Sequence, residues 1–83
     1  MDIQEQVRKF LGEELQAPQE ALANDYPLIT NHVIDSLGLL QIVSFLESEF
    51  SVEVQDEEIV PENFDTIAAI AKLAESKLAQ SSG

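Results

Sequence analysis

The chain has 83 residues and a formal net charge of −12 at pH 7, with 16 Asp and Glu residues, four Lys and Arg residues and no Cys. This length allows one domain with a small core, and the lack of Cys excludes disulfides and thiolate metal ligands. The sequence has no charged leader and no apolar run of about 18 residues, so we expect a cytoplasmic protein that does not insert into a membrane.

The few cations lie near the two ends of the chain. Arg8 and Lys9 are close to the start, and Lys72 and Lys77 are close to the end, so residues 10–71 contain no Lys or Arg. Binding to nucleic acid or to an anionic membrane requires clustered cations, and we therefore expect neither partner. The acidic surface fits basic protein partners; alternatively, the acids only keep a small domain soluble.

The first predicted helix covers about residues 2–16. Its apolar residues recur at helical spacing and form one stripe, which consists of Ile3, Val7, Phe10, Leu11 and Leu15. Glu14 projects close to this stripe, so we expect either that it lies at the rim of the core or that the helix already ends there. Pro18 opposes any continuation of the helix.

Residues 17–34 show neither helical nor strand periodicity and are predicted to form a long loop. A loop of this length in a small domain needs anchors. Four apolar side chains can supply them by entering the core: Leu22, Tyr26, Leu28 and Ile29. His32 is the only histidine, and without a second His or a Cys we expect it on the surface and predict no metal site.

The second predicted helix covers about residues 36–50 and begins with a strong start signal. Asp35 is a favourable N-cap, because its carboxylate can accept hydrogen bonds from the free N–H groups of the first turn. Ser36 then lies at the surface in that turn. The partial positive charge of a helix N-terminus would tolerate a phosphate ester there, despite the acidic surroundings.

The helical wheel of this segment separates a core arc from a polar sector. The predicted core arc consists of Leu39, Ile42, Val43, Leu46 and Phe50, whereas Gly38 and Gln41 belong to the polar sector. Three apolar residues share the polar sector: Leu37, Leu40 and Phe45. Either the long loop half-buries Leu40 and Phe45, or the three residues form a partner surface. Leu37 is the least easily buried of the three, because it lies at the centre of the polar sector.

The remainder of the chain favours two more helical elements and no strand. Residues 52–54 alternate in polarity but are too few for a strand, so an extended loop is predicted. Asp56 can cap a short helical turn that runs to Val60, and Pro61 either stops this turn or starts a new one. Asp56 and the two acids after it lack the spacing of a calcium-binding loop, so a solvated acidic face is expected. Asp65 or Thr66 caps the last helix. That helix carries a stripe of Ile67, Ile70, Ala71, Ala74 and Leu78.

The predicted fold is therefore all-α, with three principal helices, one short helix and a long loop between the first two. The domain covers residues 1–79, and residues 80–83 are predicted to form a disordered tail. An enzyme is not expected, because Ser36 lacks a plausible base: Asp35 is adjacent in sequence, and His32 would have to reach back over the helix start. We predict no catalytic residue.

With these elements the chain resembles the phosphopantetheine-dependent acyl and peptidyl carrier proteins. The resemblance rests on Asp35-Ser36-Leu37 opening the second helix, on Phe-x-Val-x-Val from Phe50 to Val54, and on the acidic turn before the final helix. It implies a small four-helix carrier bundle in which Ser36 bears a 4'-phosphopantetheine arm, transferred from coenzyme A by a phosphopantetheinyl transferase. The arm's thiol would carry the substrate as a thioester, so the cofactor would supply the sulfur that the chain lacks.

The details of the motif distinguish types of carrier. Fatty-acid-type carriers usually have Gly where this chain has Val33, and acids where it has Gly38 and Gln41. The sequence looks closer to D-alanyl carrier proteins and other free-standing carriers that an adenylate-forming ligase loads. The expected partners are such a ligase, the transferase and downstream acyl-processing enzymes.

The expected recognition surface on the second helix consists of Leu37, Leu40, Gln41 and Phe45. We expect the chain to be a monomer. The alternative is an acidic helical interaction module that binds a basic protein surface and has no prosthetic group.

Overall fold

The computed structural model describes residues 2–81, with the side chains of residues 80 and 81 left aside. Four α-helices follow one another: α1 (Ile3–Glu13), α2 (Ser36–Phe50), α3 (Pro61–Phe64) and α4 (Ile67–Ser81). Two short 3-10 turns, Gln19–Leu22 and Asp56–Glu58, lie in the connections. No β-strand occurs within the described range, so the predicted all-α fold with three long helices and a short one is confirmed.

Helix α1 begins where the sequence predicts but ends early. The Asp2 carboxylate accepts a hydrogen bond from the Glu5 N–H at 3.3 Å. Ile3, Val7 and Leu11 of the apolar stripe are buried, whereas Phe10 and Leu15 are partly buried. The helix ends at Glu13 rather than near residue 16. Gln16 adopts a left-handed conformation with φ of 55°, which allows the Ala17 N–H to donate to the Leu11 carbonyl at 2.9 Å and reverses the chain.

The long connection between α1 and α2 is anchored by apolar side chains, as predicted. Leu28 is fully buried, and the other three predicted anchors are partly buried against the core. Two further anchors escaped prediction: Ala21 in the 3-10 turn and Ile34 just before α2 are both buried. His32 is exposed, as expected for a surface loop residue.

The start of α4 separates the roles of two candidate caps. The Thr66 hydroxyl accepts a hydrogen bond from an N–H of the first turn at 3.0 Å, so Thr66 caps the helix. Asp65 instead holds the long loop. Its carboxylate accepts from the N–H groups of Ile29 at 2.8 Å and Thr30 at 3.2 Å, and its carbonyl accepts from the Leu28 N–H at 2.5 Å.

The segment between α2 and α4 contains a short turn, as predicted, but Gln55 rather than Asp56 is its N-cap. The 3-10 turn ends at Glu58 rather than Val60, and Pro61 then restarts the chain as the first residue of α3. Glu58 fixes this segment, because it forms an ion pair with Lys77 of α4 and accepts from the Gln55 N–H at 2.9 Å. These two donors lower the pKa of the Glu58 carboxyl from its ordinary value of 4.5.

The core lies where α1, α2 and α4 meet, with Phe64 of α3 closing it. The buried apolar side chains are Ile3, Val7, Leu11, Ala21, Leu28, Ile34, Ile42, Val43, Leu46, Phe50, Val52, Val54, Phe64, Ile67, Ile70, Ala71 and Ala74. Leu39 and Leu78, both predicted in the core, are only partly buried at its edge. Helix α4 includes residues 80 and 81, whereas the other two residues of the predicted tail lie outside the described residues.

In the part of the chain that the structure describes, no helix is both long and apolar enough to cross a membrane. The same residues contain no cluster of three or more His, Cys, Asp or Glu side chains that could hold a metal ion.

Candidate functional site

Ser36 is the first residue of α2, and its side chain is exposed. Asp35 before it is extended and caps the helix: its carboxylate accepts from the Gly38 N–H at 2.8 Å, and its carbonyl accepts from the Leu39 N–H at 2.9 Å. For the N–H groups of Ser36 and Leu37, no acceptor is found within residues 2–81. A group attached to the Ser36 hydroxyl would therefore meet free donors and the positive end of the helix dipole.

The segment before Ser36 is fixed by hydrogen bonds and burial. Both the Val33 and the Ile34 N–H donate to the Leu28 carbonyl, at 2.8 and 3.3 Å, while the Leu28 N–H is held by the Asp65 carbonyl. Ile34 is 4% exposed. Ser36 thus follows an anchored residue by two positions, so its place on the surface depends on contacts with the start of α4.

Ser36 has no basic group bonded to it among the described residues. His32, the nearest histidine in sequence, lines a shallow cavity of about 300 Å³ together with Asp35 and Leu37. It has a left-handed backbone with φ of 61°, and no hydrogen bond joins it to Ser36. The hydroxyl is therefore presented to solvent, in the way that suits modification by a separate protein.

Gly38 is buried, which corrects its predicted place in the polar sector of α2. A Cβ atom at Gly38 would lie 3.3 Å from Asp35 Oδ1, 3.3 Å from Ile34 Cγ2 and 3.9 Å from Leu15 Cδ1. Any side chain there would disturb the cap that precedes Ser36. Position 38 thus packs against the residues before α2 and does not belong to the outward face.

The outward face of α2, which we define as Leu37, Leu40, Gln41 and Ser44, is open to solvent. Leu37 is 65% exposed and Leu40 is 56% exposed, so the long loop does not cover Leu40. These two are the exposed large apolar residues within the described range. Both lie within about one turn of Ser36.

Phe45 is half-buried, but not by the long loop that the sequence suggested. Its ring stacks on Phe10 of α1 with centroids 4.4 Å apart, and it meets Phe50 edge-on at 6.0 Å. Helix α1 rather than the long loop therefore covers Phe45. This leaves Phe45 with one edge beside the outward face and most of its ring in a structural role.

An open groove of about 530 Å³ runs between the end of α1 and α2. Its lining residues are Phe10, Glu14, Leu15, Leu37, Leu40, Gln41, Ser44, Phe45, Ser48 and Glu49. The contributions of α1 and its C-terminal end, Phe10, Glu14 and Leu15, were not predicted as part of a site. The position of Glu14 beside an apolar stripe was the only signal for them in the sequence.

Two of the four cations are engaged elsewhere. Arg8 pairs with Glu5 and donates to the Leu22 carbonyl at 2.8 Å, and Lys77 pairs with Glu58. Neither pair includes a residue that lines the groove. The charged residues that line the groove are therefore acids, Glu14 and Glu49, while Lys9 lines the adjoining cavity along α1.

A small helical fold with an exposed hydroxyl at the capped start of a helix suits a protein to which another group is attached. Residues 5–74 match the family described as phosphopantetheine attachment site. The chain belongs to this family, whose members carry a covalently attached 4'-phosphopantetheine and generally act as non-catalytic carriers. The residues at the start of α2 fit this group, because the free first-turn donors suit its phosphodiester.

Proposed function

We propose that Ser36 is the attachment residue and that the chain carries an acyl or aminoacyl group as a thioester on the arm's thiol. The observation that carries this proposal is the exposed Ser36 hydroxyl at the capped start of α2. Ser44 and Ser48 are also on α2, but they lie inside the helix, where backbone N–H groups are already paired.

The attachment step needs nothing from this chain except a presented hydroxyl. The Ser36 Oγ forms a bond to the phosphorus of the pantetheine phosphate, and the pyrophosphate bond of coenzyme A breaks. The leaving group is 3',5'-ADP, and the transferase takes the hydroxyl proton. Asp35 contributes by holding the first turn, and its carboxylate is occupied by the Gly38 N–H.

The experiment is intact-mass measurement after incubation with coenzyme A and a broad-specificity phosphopantetheinyl transferase. The native chain and Ser44→Ala should each gain one arm, whereas Ser36→Ala should gain none. Ser36→Ala should change the free energy of unfolding by less than about 0.5 kcal/mol, because the side chain is exposed at the surface. A Ser36→Ala variant that still gains the arm would remove Ser36 from this role.

We also propose that an adenylate-forming ligase loads the arm and docks on the outward face of α2 and the adjoining edge of Phe45. Exposed apolar residues beside a tethered reactive group favour a docking partner, and the acidic surroundings favour a basic rim on it. Fatty-acid-type carriers commonly have acids where this chain has Gly38 and Gln41. Because Gly38 is buried, Gln41 is the one of these two positions that lies on the outward face.

Enzymes that require such a carboxylate should therefore handle the protein poorly. The test compares thioester formation by a ligase encoded nearby with turnover by fatty acid synthase enzymes on the same phosphopantetheinylated protein. Faster charging by the ligase is expected. Equal or better turnover by the fatty acid enzymes would contradict the assignment to a dedicated ligase.

A further inference from the structure

The groove between α1 and α2 adjoins the residues on either side of Ser36. The shallow cavity beside Asp35 and the groove share four lining residues: Glu14, Leu15, Leu37 and Gln41. A path along the surface therefore leads from the start of α2 to Ser48 and Glu49. Its lining is apolar in Phe10, Leu15, Leu37, Leu40 and Phe45, and its polar residues lie on α2, except for Glu14 after α1.

The length of this path suits the prosthetic arm. From Ser36 to Ser48, α2 rises about 18 Å at about 1.5 Å per residue. Phosphopantetheine is a linear chain of about 13 bonds, which spans about 15 Å if it extends as a polypeptide backbone does. Its thiol can thus lie beside Ser44 and Phe45, where the groove is lined by aromatic and aliphatic side chains.

Tethering makes a weak site sufficient. A group on a short flexible linker has an effective concentration in the mM range near its attachment point. An open groove with only mM affinity would therefore hold the arm's cargo for a large part of the time. A partner protein at ordinary cellular concentration has no such advantage while it is undocked.

The charge of the groove limits what it can hold. Its charged lining residues are Glu14 and Glu49. The two adjoining cavities add Lys9 with Glu13 along α1, and His32 with Asp35 before α2, so acids outnumber cations along the whole path. A carboxylate on the cargo would face like charges in a partly desolvated groove, whereas an ammonium group would be attracted. A neutral acyl chain would gain from the apolar floor without this penalty.

We propose that the groove between α1 and α2 is the resting site of the thioester cargo, and that it accepts neutral or cationic acyl groups, such as aminoacyl groups, over anionic ones. This inference rests on the proposed attachment at Ser36. Leu37 and Leu40 then contact the cargo at rest and the enzyme when it docks, because the docking enzyme displaces the cargo from these side chains.

The test loads Ser36 with amide-linked coenzyme A analogues that carry pentanoyl, 4-aminobutyryl or glutaryl groups, and verifies each product by mass. Contacts are read by NMR, from shift changes at the Gln41, Ser44 and Phe45 amides and from cross-peaks between the cargo and Leu40. The pentanoyl and 4-aminobutyryl groups should produce both signals. The glutaryl group should produce shift changes about threefold smaller, as expected for like charges at an exposed rim.

Two matched pairs of variants test whether the groove itself holds the cargo and whether its two acids set the preference. Ser44→Phe fills the groove and should abolish the cargo signals, whereas Ser76→Phe on the exposed side of α4 should not. The double variant Glu14→Gln with Glu49→Gln should restore the glutaryl signals. The same change at the exposed acids Glu53 and Glu62, which do not line the groove, should leave them weak.

The outcomes separate this inference from the function on which it rests. If no analogue attaches to Ser36, both are overturned. If all analogues attach but the cargo contacts another surface or none, the groove is not a resting site while the carrier function stands. Equal signals from the glutaryl and 4-aminobutyryl groups would overturn the preference for neutral or cationic cargo.

Discussion

Two neighbouring regions of the molecule, the segment before Ser36 and the outward face after it, are built in opposite ways. Residues 28–35 are held by hydrogen bonds to Leu28 and by burial of Ile34, and Asp65 fastens them to the start of α4. On the outward face, Leu37 and Leu40 are more than half exposed. One region is fixed by the fold, and the other is left for contacts outside it.

This difference explains how a small protein can present a tethered substrate reproducibly to several enzymes. The fixed segment determines where the helix starts and where Ser36 lies on the surface. The outward face can then change in sequence without disturbing that position, because its side chains contribute little to the core. Under the proposed docking on the outward face, specificity and stability depend on different residues.

The largest expected effect comes from breaking the fixed region at Asp65. Asp65→Ala removes the acceptor of the Ile29 and Thr30 N–H groups and should lower the free energy of unfolding by about 2–3 kcal/mol, as expected for hydrogen bonds to a charged group. Urea unfolding measures the change. Asp65→Asn, which keeps an acceptor oxygen, should lose less.

The control for Asp65 is Glu62→Ala, which removes an exposed acid of α3 and should change stability by less than about 0.5 kcal/mol. Attachment of the arm to Asp65→Ala should also slow under conditions where the variant is folded, because Ser36 is no longer held in place. Equal stability of the Asp65 and Glu62 variants would show that other contacts fix the loop.

A smaller effect is expected from a change on the outward face, and it should alter charging of the arm rather than stability. Leu37→Ala should leave the free energy of unfolding within about 0.5 kcal/mol of the native value, since the side chain is mostly exposed. It should reduce kcat/KM for charging by the dedicated ligase about 5- to 10-fold, as expected for an apolar anchor at an interface. Steady-state kinetics on the phosphopantetheinylated variants measure this. Unimpaired charging would remove Leu37 from the docking surface.

The smallest expected effect concerns the ion pair between the turn before α3 and α4. The pKa of Glu58 is lowered by its hydrogen bonds to Lys77 and the Gln55 N–H. Its contribution to stability is therefore present above 4.5, the ordinary value, and is lost as the pH falls through the lowered pKa. At neutral pH it should amount to about 0.5 kcal/mol, as for ion pairs near the protein surface.

Glu58→Gln tests this assignment against Glu57→Gln, which removes an exposed neighbouring charge that has no partner within the described residues. Melting of both variants and the native chain is followed at about pH 7 and about pH 3. The difference between the native chain and Glu58→Gln should shrink at the lower pH. If the two variants melted alike at neutral pH, the Lys77 pair would contribute nothing to stability.

The parts of the fold that the sequence predicts correctly depend on local signals. Helix α2 has the predicted bounds, because the Asp35 cap and the apolar period lie within the helix itself. Proline similarly marks the start of α3. Where an expectation depended on the end of α1, it was wrong: Gly38 is buried beside Leu15, and Phe45 is covered by Phe10.

The role of Asp65 could not be predicted for the same reason. Asp and Thr are both good helix caps, and only the position of the long loop in space decides that Thr66 caps α4 while Asp65 binds the loop. The candidate hydroxyl was found because its signals are adjacent in sequence. The groove beside it was missed because one wall comes from α1 and the residues that follow it.

The most direct test of the account locates the arm within the chain. The native protein is treated with coenzyme A and the transferase, digested after acidic residues, and its peptides are fragmented in a mass spectrometer. The account predicts that the arm lies on Ser36 alone, in a peptide that also contains unmodified Ser44. An arm found on Ser44 or on any other serine would contradict it, as would a protein that gains no arm at all.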